Sequence, residues 1–547
     1  MEPTPRPIIQ LAEEMGIQRS HIVPYGADKA KIHLAARQPG PPPGKLILVS
    51  AITPTRYGEG KTTTSIGLAQ GLARRRQRVC LALREPSLGP TFGKKGGATG
   101  GGRSVLVPAA DINLHFTGDF HAISTANNLL AALVDNHIYQ GNRLGIDSRR
   151  VLWRRVVDLN DRALRHTVIG LGGKLQGVPR ETGFDITPAS EIMAALCLAE
   201  DTADLRARLS RLLVALTHEG RPVTAADLEA VGAMMVLLRD TLMPNLVQTG
   251  EGVPALVHGG PFANIAHGCN SVIATKMALA HSDWTVTEAG FGFDLGAEKF
   301  FDIKCVSAGL DTAAVVLVAT IRALKRHGGV ARKDLLDPDP AAVERGIANL
   351  QKHIENIRIF TEVPVVALNH FASDSPEEIE VVRRACESVR APFAVSHVFE
   401  RGGEGGLELA DTVMEHAEKT SSPFQPLYDW SEPIKVKMEK IARQMYGARG
   451  VTYTRPAEKE LQAIQDLGFA GLPLSVAKAA TSLSDDPDRS GRPRDFDVVV
   501  RGLIVAAGAG FVIPLLGDIM RMPGLPPSPQ ASRMDLVDGK ITGLLGA

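Results

Sequence analysis

Residues 45 to 72 constrain the fold most, because they have the pattern of a buried strand, a glycine loop and a helix in immediate succession. Leu46 to Ile52 are almost wholly apolar and rich in branched side chains, which is typical of a strand covered on both faces in a parallel sheet. The next loop contains Gly58-Glu59-Gly60-Lys61-Thr62, and apolar residues then recur at helical spacing through Leu72. This order predicts a phosphate-binding loop, in which backbone N–H groups and a helix N-terminus surround phosphate oxygens.

The loop has the side chains that a nucleotide site of this kind needs. Lys61 would reach the β and γ phosphates, and the hydroxyl of Thr62 would bind Mg²⁺. The match to G-x-x-x-x-G-K-[ST] is partial, because Thr55 stands where the first glycine is usual. An ordinary glycine-rich turn between a strand and a helix is the alternative. The ATP-binding residues that we expect are Thr55, Arg56, Tyr57, Gly58, Glu59, Gly60, Lys61 and Thr62.

Composition argues against several classes of partner. The 547 residues have a formal net charge of +1, which gives no support to a nucleic-acid or acidic-membrane partner. The five cysteines lie far apart without a C-x-x-C pair, so neither a disulfide framework nor a zinc knuckle is indicated. The apolar run 502–517 is short for a membrane crossing and rich in glycine, so we expect two buried strands joined by a turn. These features favour a cytoplasmic protein that acts on small molecules.

Alternating strands and helices predict an α/β fold. We expect a P-loop NTPase-like parallel-sheet domain over residues 1–300, possibly completed by the C-terminal residues, and two smaller α/β domains over 301–410 and 411–547. Residues 1–44 are expected to form a helical N-terminal arm.

Two further stretches could line a site. The glycine cluster 89–104 carries Lys94, Lys95 and Arg103, and its lack of side chains would let backbone approach a ligand closely; a flexible linker is the alternative. The stretch 111–138 is rich in Asp and His, including Asp119. Its spacing does not match a zinc site, so we interpret these residues as structural polar groups or as the lining of a substrate site.

Phe371 and Phe399 occupy equivalent positions just after two predicted strands. Ligands bind at the ends of parallel strands, where an aromatic ring could stack on a flat heterocycle. The alternative is that both rings plug into the core. Ser375 followed by Glu378 predicts a helix capping box, which places the Phe371 loop at the carboxyl end of its strand.

Several long blocks run across nearly the whole chain. They are REPSLGPTFGKKGGATGGG (84–102), DINLHFTGDFHAISTANNLLAALVDNHI (111–138), GGPFANIAHG (259–268), VATIRALKRHGG (318–329), RGGEGG (401–406), SLSDDP (482–487) and MPGLP (522–526), with a further block around Phe293. In sequence and order these blocks resemble the formate–tetrahydrofolate ligase family.

The resemblance implies an ATP-dependent ligase that works in two steps. ATP would phosphorylate formate to formyl phosphate, and N10 of tetrahydrofolate would then attack the formyl carbon, giving 10-formyltetrahydrofolate, ADP and phosphate. It also implies a homotetramer and activation by a monovalent cation. The site residues that it implies are Lys61, Arg84 and Asp119 for catalysis, and Glu85, Phe291, Phe293, Phe371 and Phe399 for folate.

The chain departs from the family pattern at four places. Arg56-Tyr57 replaces Pro-Ala in the loop, and Arg103 stands where tyrosine is usual. Phe293 replaces a small residue, and Phe399 replaces tryptophan. Three of the four would touch one pocket, which favours a reshaped acceptor site. Two alternatives to the ligase are therefore a divergent paralogue that activates formate or another carboxylate for a different or modified folate acceptor, and a non-catalytic nucleotide- or folate-binding regulator.

Overall fold

A large, mostly parallel sheet forms the centre of the protein. The computed structural model describes residues 5–37, 44–95, 97–361, 364–418, 423–517 and 519–544. In spatial order the strands are Ile22–Pro24, Ala30–Ile32, Asn245–Thr249, Pro254–Val257, Val79–Leu83, Trp284–Glu288, Lys45–Ala51, Ala314–Ala319, Pro364–Asn369 and Phe393–Ser396. Ser104–Val107 also pairs with Asn245–Thr249, and Gly100–Gly101 pairs with Ser104–Val107. The predicted α/β class is confirmed.

The strands from Pro254–Val257 to Phe393–Ser396 in this order are all parallel. Their carboxyl ends therefore meet at one edge of the sheet, where α/β proteins bind ligands. The sheet runs without a break through strands on both sides of residue 300, since Ala314–Ala319 pairs with Lys45–Ala51. The division into three domains stays a prediction.

Strand Lys45–Ala51 is buried on both faces, as its apolar run predicts. Ile47 and Val49 pack with helix Lys61–Arg74, whereas Leu46 and Leu48 pack in a core with Phe293 and helix Pro340–Phe360. Successive side chains of a strand point to opposite faces, so this one strand joins the two main cores. The loop that follows it is consequently anchored from both sides.

Helices cover both faces of the sheet. The α-helices are Ile8–Glu14, Lys61–Arg74, Leu88–Pro90, Ala109–Asn113, Asp119–Tyr139, Glu191–Leu198, Thr202–Ser210, Val231–Leu237, Val272–His281, Val306–Ala308, Ile321–His327, Pro340–Phe360, Pro376–Ser388, Val398–Arg401, Leu407–Ala417, Ile434–Lys440 and Arg455–Asp466. Turns of π-helix span Thr91–Lys95, Phe293–Ala297, Phe300–Cys305 and Ile441–Tyr446. Ser375 and Glu378 form the predicted capping box.

The remaining strands form small sheets outside the central one. They are Ile146–Val151, Arg155–Val157, Thr167–Ile169, Arg180–Thr182, Phe184–Ile186, Leu213–Thr217, Pro222–Thr224, Gly450–Tyr453, Asp497–Val500, Gly502–Ala506, Phe511–Leu515, Asp535–Val537 and Lys540–Thr542. The apolar run near residue 510 is the expected pair of strands, with Gly502–Ala506 antiparallel to Phe511–Leu515. Within the described ranges, no helix is long and apolar enough to span a bilayer.

The expectation of a wholly helical N-terminal arm is wrong. Helix Ile8–Glu14 is followed by strands Ile22–Pro24 and Ala30–Ile32, which add to one side of the central sheet. These strands are only three residues long, so their alternation is too short to be recognised in the sequence. Pairing of Ala30–Ile32 with Asn245–Thr249 brings Lys31 into the interior.

Candidate active site

The loop after strand Lys45–Ala51 lies at the carboxyl edge of the parallel strands. Gly58 and Gly60 both have a φ of +76°, in the left-handed region that favours glycine. Gly60 also has no room for a side chain, since a Cβ there would lie 2.4 Å from Nδ2 of Asn369. Helix Lys61–Arg74 begins directly after it, so the N–H groups of its first turn face the loop, as in an anion site.

The side chain of Glu59 stabilises this loop through hydrogen bonds. It is buried, and its two oxygens accept hydrogen bonds from the backbone N–H of Thr55 at 2.7 Å and from the hydroxyl of Thr320 at 2.6 Å. The amide of Asn369 donates to the carbonyl oxygen of Glu59 at 3.1 Å. The carboxylate of Glu59 therefore joins the loop to Thr320, while its backbone carbonyl joins the loop to Asn369; the nucleotide contact expected of Glu59 stays a prediction.

Lys61 stands at the start of the helix with part of its surface open. The protein around it lowers its pKa to about 8, because desolvation disfavours the ammonium form more than the acids Glu288 and Glu59 favour it. The cations Lys95 and Arg84 lower this pKa further. An arriving phosphate would supply the negative charge that this cation lacks.

Glu288 joins two of the expected site residues. It ends the strand that lies next to Lys45–Ala51, and its Oε2 accepts a hydrogen bond from the hydroxyl of Thr62 at 2.8 Å. Its Oε1 lies 3.6 Å from the guanidinium of Arg84. Arg84 also donates to the carbonyl of Pro261 at 3.4 Å, and its buried Nε has no partner among the described residues. The arrangement places a carboxylate, a hydroxyl and a partly free guanidinium around one space.

Glu85, which follows strand Val79–Leu83, and Asp119, which begins helix Asp119–Tyr139, are both buried. Asp119 accepts hydrogen bonds from the ammonium of Lys31 at 2.8 and 3.0 Å and from the amide of Asn245 at 2.7 Å. Burial and the nearby charge of Asp119 raise the pKa of Glu85 well above its usual range. A neutral Glu85 carboxyl can donate a hydrogen bond, whereas Asp119 is fully engaged by its protein partners.

Phe371 and Phe399 follow the last two parallel strands, as expected. Phe399 is 48% exposed, and the backbone N–H of Phe371 donates to Asp374 at 2.9 Å. The preceding residues His370 and His397 bring the two segments together, with ring centroids 4.4 Å apart. Two partly open aromatic side chains therefore follow adjacent strands, Phe371 on a loop and Phe399 on the short helix Val398–Arg401.

Phe291 and Phe293 have different environments. Phe291 is partly exposed and has a φ of +58°, which is uncommon for a bulky residue. We expected Phe293 to add bulk beside the folate site. Its ring is fully buried instead, 6.1 Å from the ring of Phe301 and 6.0 Å from that of Phe360. Packing against two other rings stabilises Phe293 as a core residue, and a contact between Phe293 and folate stays a prediction.

The glycine cluster lies against the Phe399 loop. A Cβ on Gly101 would lie 3.1 Å from the ring of Phe399, and one on Gly102 would lie 2.0 Å from its carbonyl oxygen. The backbone N–H of Arg103 donates to that same carbonyl at 2.9 Å. At these two positions, the glycines therefore allow a close approach to Phe399 of the protein itself.

Sequence reasoning missed Glu288, Lys31 and Asn369 as parts of this region. Glu288 had a usable signal, because it is the one acid at the end of the apolar strand WTVTE. Lys31 had none, since its neighbours Asp119 and Asn245 are remote in sequence.

The fold and this edge define a mixed α/β protein whose polar and charged side chains gather at the carboxyl ends of parallel strands. The family model for formate--tetrahydrofolate ligase matches residues 1–545. The chain therefore belongs to the formate–tetrahydrofolate ligase family and is an ATP-dependent ligase.

Two solved structures of folylpolyglutamate synthases show weak similarity. One is a mutant of L. casei FPGS, with 10% identity over 74% of this chain and 81% of that chain and a TM-score of 0.15. The other is Mycobacterium tuberculosis folylpolyglutamate synthase complexed with ADP, with 11% identity over 71% of this chain and 93% of that chain and a TM-score of 0.13. Scores this low establish no common fold.

Proposed function

We propose that this chain joins formate to tetrahydrofolate through formyl phosphate and releases 10-formyltetrahydrofolate, ADP and phosphate. The observation that carries the proposal is the convergence of Lys61, Thr62, Glu288 and Arg84 at the carboxyl edge of the sheet. Family membership supplies the reaction class. The geometry supports a division of the site into a phosphate half and a folate half.

In the first step, an oxygen of formate attacks the γ-phosphorus of ATP, and the bond to the ADP oxygen breaks. Phosphoryl transfer depends on positioning and on neutralising charge. Lys61 and the first-turn N–H groups of helix Lys61–Arg74 are placed to hold the phosphates. The guanidinium of Arg84 suits the product, since its planar fork binds phosphate oxygens in pairs.

The donor set near Thr62 fits Mg²⁺. This ion prefers oxygen ligands and is commonly held by one or two protein groups together with substrate phosphates. The hydroxyl of Thr62 and the carboxylate of Glu288 are such groups, 2.8 Å apart. Bound there, Mg²⁺ would neutralise charge on the phosphates.

In the second step, N10 of tetrahydrofolate attacks the formyl carbon, and the carbon–oxygen bond to phosphate breaks. Phe371 and Phe399 are proposed to flank the pterin, with Phe291 nearby, because they offer open rings after adjacent strands. The neutral carboxyl of Glu85 would bond to the pterin edge. Asp119 would then act indirectly, because its charge adds to the effect of burial in raising the pKa of Glu85.

Other parts of the proposal follow from family membership rather than from this geometry. We propose a P-loop NTPase-like domain over 1–300 with two smaller α/β domains, and a cytoplasmic homotetramer that a monovalent cation activates. Sedimentation would test the homotetramer, and titration of the activity with potassium would test activation by a monovalent cation.

Purified protein supplied with formate, Mg-ATP and tetrahydrofolate tests the function. We expect formation of 10-formyltetrahydrofolate and ADP, each dependent on all three substrates, and product formation about 10³-fold slower with the Lys61→Ala variant. ADP formation that requires formate but ignores tetrahydrofolate would instead support a paralogue with another acceptor. Binding of nucleotide without any ADP release would support a regulator and contradict the proposal.

A further inference from the structure

The guanidinium of Arg322 lies between two aromatic rings. One is Tyr57, on the proposed nucleotide loop (55–60), and the other is Phe371, on a loop of the proposed folate half. The Cζ atom of Arg322 is 4.0 Å from the ring centroid of Phe371 and 5.6 Å from that of Tyr57. Both distances are within the range of a cation–π contact. We name this group the aromatic–arginine bridge (Tyr57, Arg322 and Phe371). It physically connects the two halves of the site.

Tyr57 is held on its other side as well. Its hydroxyl accepts a hydrogen bond from Nε of Arg332 at 2.8 Å, and Cζ of Arg332 lies 5.3 Å from its ring. Tyr57 is 47% exposed, so burial does not explain its position. Two guanidinium groups hold this ring instead.

Arg322 is also connected to the loop through its own helix. It is the second residue of helix Ile321–His327, which Thr320 caps, and the hydroxyl of Thr320 donates to Glu59 at 2.6 Å. The Nε of Arg322 is buried without a hydrogen-bond partner among the described residues. The contacts with the two rings therefore hold this guanidinium in place.

We propose that Tyr57 and Arg322 are positioning residues for the acceptor, which fix the ring of Phe371 and leave its opposite face for the pterin. This inference rests on the proposed function. One face of Phe371 is covered by the guanidinium at 4.0 Å, so a flat heterocycle has a single remaining face. Because Tyr57 belongs to the nucleotide loop, movement of that loop changes the support of Phe371. Acceptor affinity is thereby linked to nucleotide binding.

Tyr57→Ala tests the bridge in the full-length protein. We expect the Kd for tetrahydrofolate, measured by calorimetry, to rise roughly threefold to tenfold, because two cation–π contacts are lost. The KM for tetrahydrofolate should rise by a larger factor than the KM for ATP. Tyr57→Phe keeps the ring and should stay within about twofold of the wild type. Arg322→Lys should resemble Tyr57→Ala, since an ammonium lacks the planar face.

The matched control is Arg383→Ala. Cζ of Arg383 lies 4.8 Å from the ring of Phe393, at the opposite end of the strand that leads to Phe399. Its loss should leave the Kd for tetrahydrofolate unchanged, and thermal unfolding should show that each variant is folded.

An unchanged Kd for tetrahydrofolate in both Tyr57→Ala and Arg322→Lys would overturn the bridge. So would a rise in the KM for ATP that equals or exceeds the rise for tetrahydrofolate. A wild-type protein that binds tetrahydrofolate without turnover would refute the proposed function, while the calorimetric comparison would still decide the bridge.

Discussion

The phosphate half and the folate half of the site are supported in different ways. In the phosphate half, Glu59 and Glu288 fix the loop and Thr62 through hydrogen bonds of 2.6 to 2.8 Å, one within the loop and two that involve the ends of neighbouring strands. In the folate half, Phe371 lies on a loop and Phe399 on the short helix Val398–Arg401; both are partly open and are supported by the Arg322 guanidinium and by glycine backbone. Rigid hydrogen bonding suits a reaction step that every substrate shares. Looser support suits the part of a site that selects the acceptor.

The largest effect should come from removing Lys61. Lys61→Ala should lower kcat for ADP formation by about 10³-fold, because one preorganised cation at the transferred phosphate is lost. The assay is ADP release at saturating formate and tetrahydrofolate. An effect confined to the KM for tetrahydrofolate would contradict the division into halves.

The same residue predicts a pH dependence. Its pKa is lowered to about 8, so the ammonium form is lost as the pH rises through that value. We expect kcat/KM for ATP to fall above about pH 8, whereas a Lys61→Arg variant, weaker overall, should keep a flat profile there. A wild-type profile without this alkaline decrease would show that Lys61 stays protonated.

Glu288→Gln sharpens the comparison within the phosphate half. It removes the charge that Thr62 and Arg84 share while keeping the shape. We expect a loss of roughly tenfold to 100-fold in kcat, as for partners that orient a ligand group, together with a higher Mg²⁺ requirement. Glu251→Gln, which removes an acid that pairs with Arg74 on a more exposed part of the surface, is the control. Equal Mg²⁺ dependence in Glu288→Gln and wild type would exclude a role beside the metal.

Gly60 and Gly58 form a matched pair with the same φ of +76°. Gly60→Ala should cost about tenfold in activity or more, because its Cβ would meet Asn369 at 2.4 Å in addition to the strain of a left-handed alanine. Gly58→Ala meets nothing within 4 Å, so only the strain, about 1 kcal/mol, remains. The KM for ATP, measured for both variants, tests the contribution of the contact with Asn369. Equal losses of activity in the two variants would mean that this contact is unimportant.

The smallest effects should appear in the folate half. Phe371→Ala should raise the KM for tetrahydrofolate roughly tenfold, since stacking of one ring on a flat base contributes about 1–3 kcal/mol. Phe399→Trp should lower that KM about twofold by enlarging the stacking surface. Phe393→Ala, at the amino end of the strand that leads to Phe399, is the control. A larger effect of either site variant on the KM for ATP would remove the distinction between the halves.

The phosphate half was easier to predict from the sequence because its signal is local. One buried strand, two glycines and Lys61 lie within a short stretch, and the structure keeps them together. The contact between Thr62 and Glu288 depends on which strands become neighbours in the sheet, which no local pattern determines. Burial of Phe293 likewise depends on Phe301 and Phe360, the latter from a distant helix.

The folate half combined local and remote signals. Phe371 and Phe399 were placed correctly after their strands, because apolar strand patterns and a capping box set those positions. The guanidinium of Arg322 against Phe371 was not foreseen, since a basic residue near a helix start has many possible neighbours. The roles of these residues in binding stay predictions.

Transfer of label from formate to phosphate tests the central claim most directly. Formate that carries heavy oxygen would be incubated with Mg-ATP, tetrahydrofolate and the enzyme, and the released phosphate analysed by mass spectrometry. If formyl phosphate forms, the formate oxygen that attacks the γ-phosphorus stays on phosphorus when N10 displaces phosphate, so each phosphate should contain one labelled oxygen. Product formation with unlabelled phosphate would contradict the account.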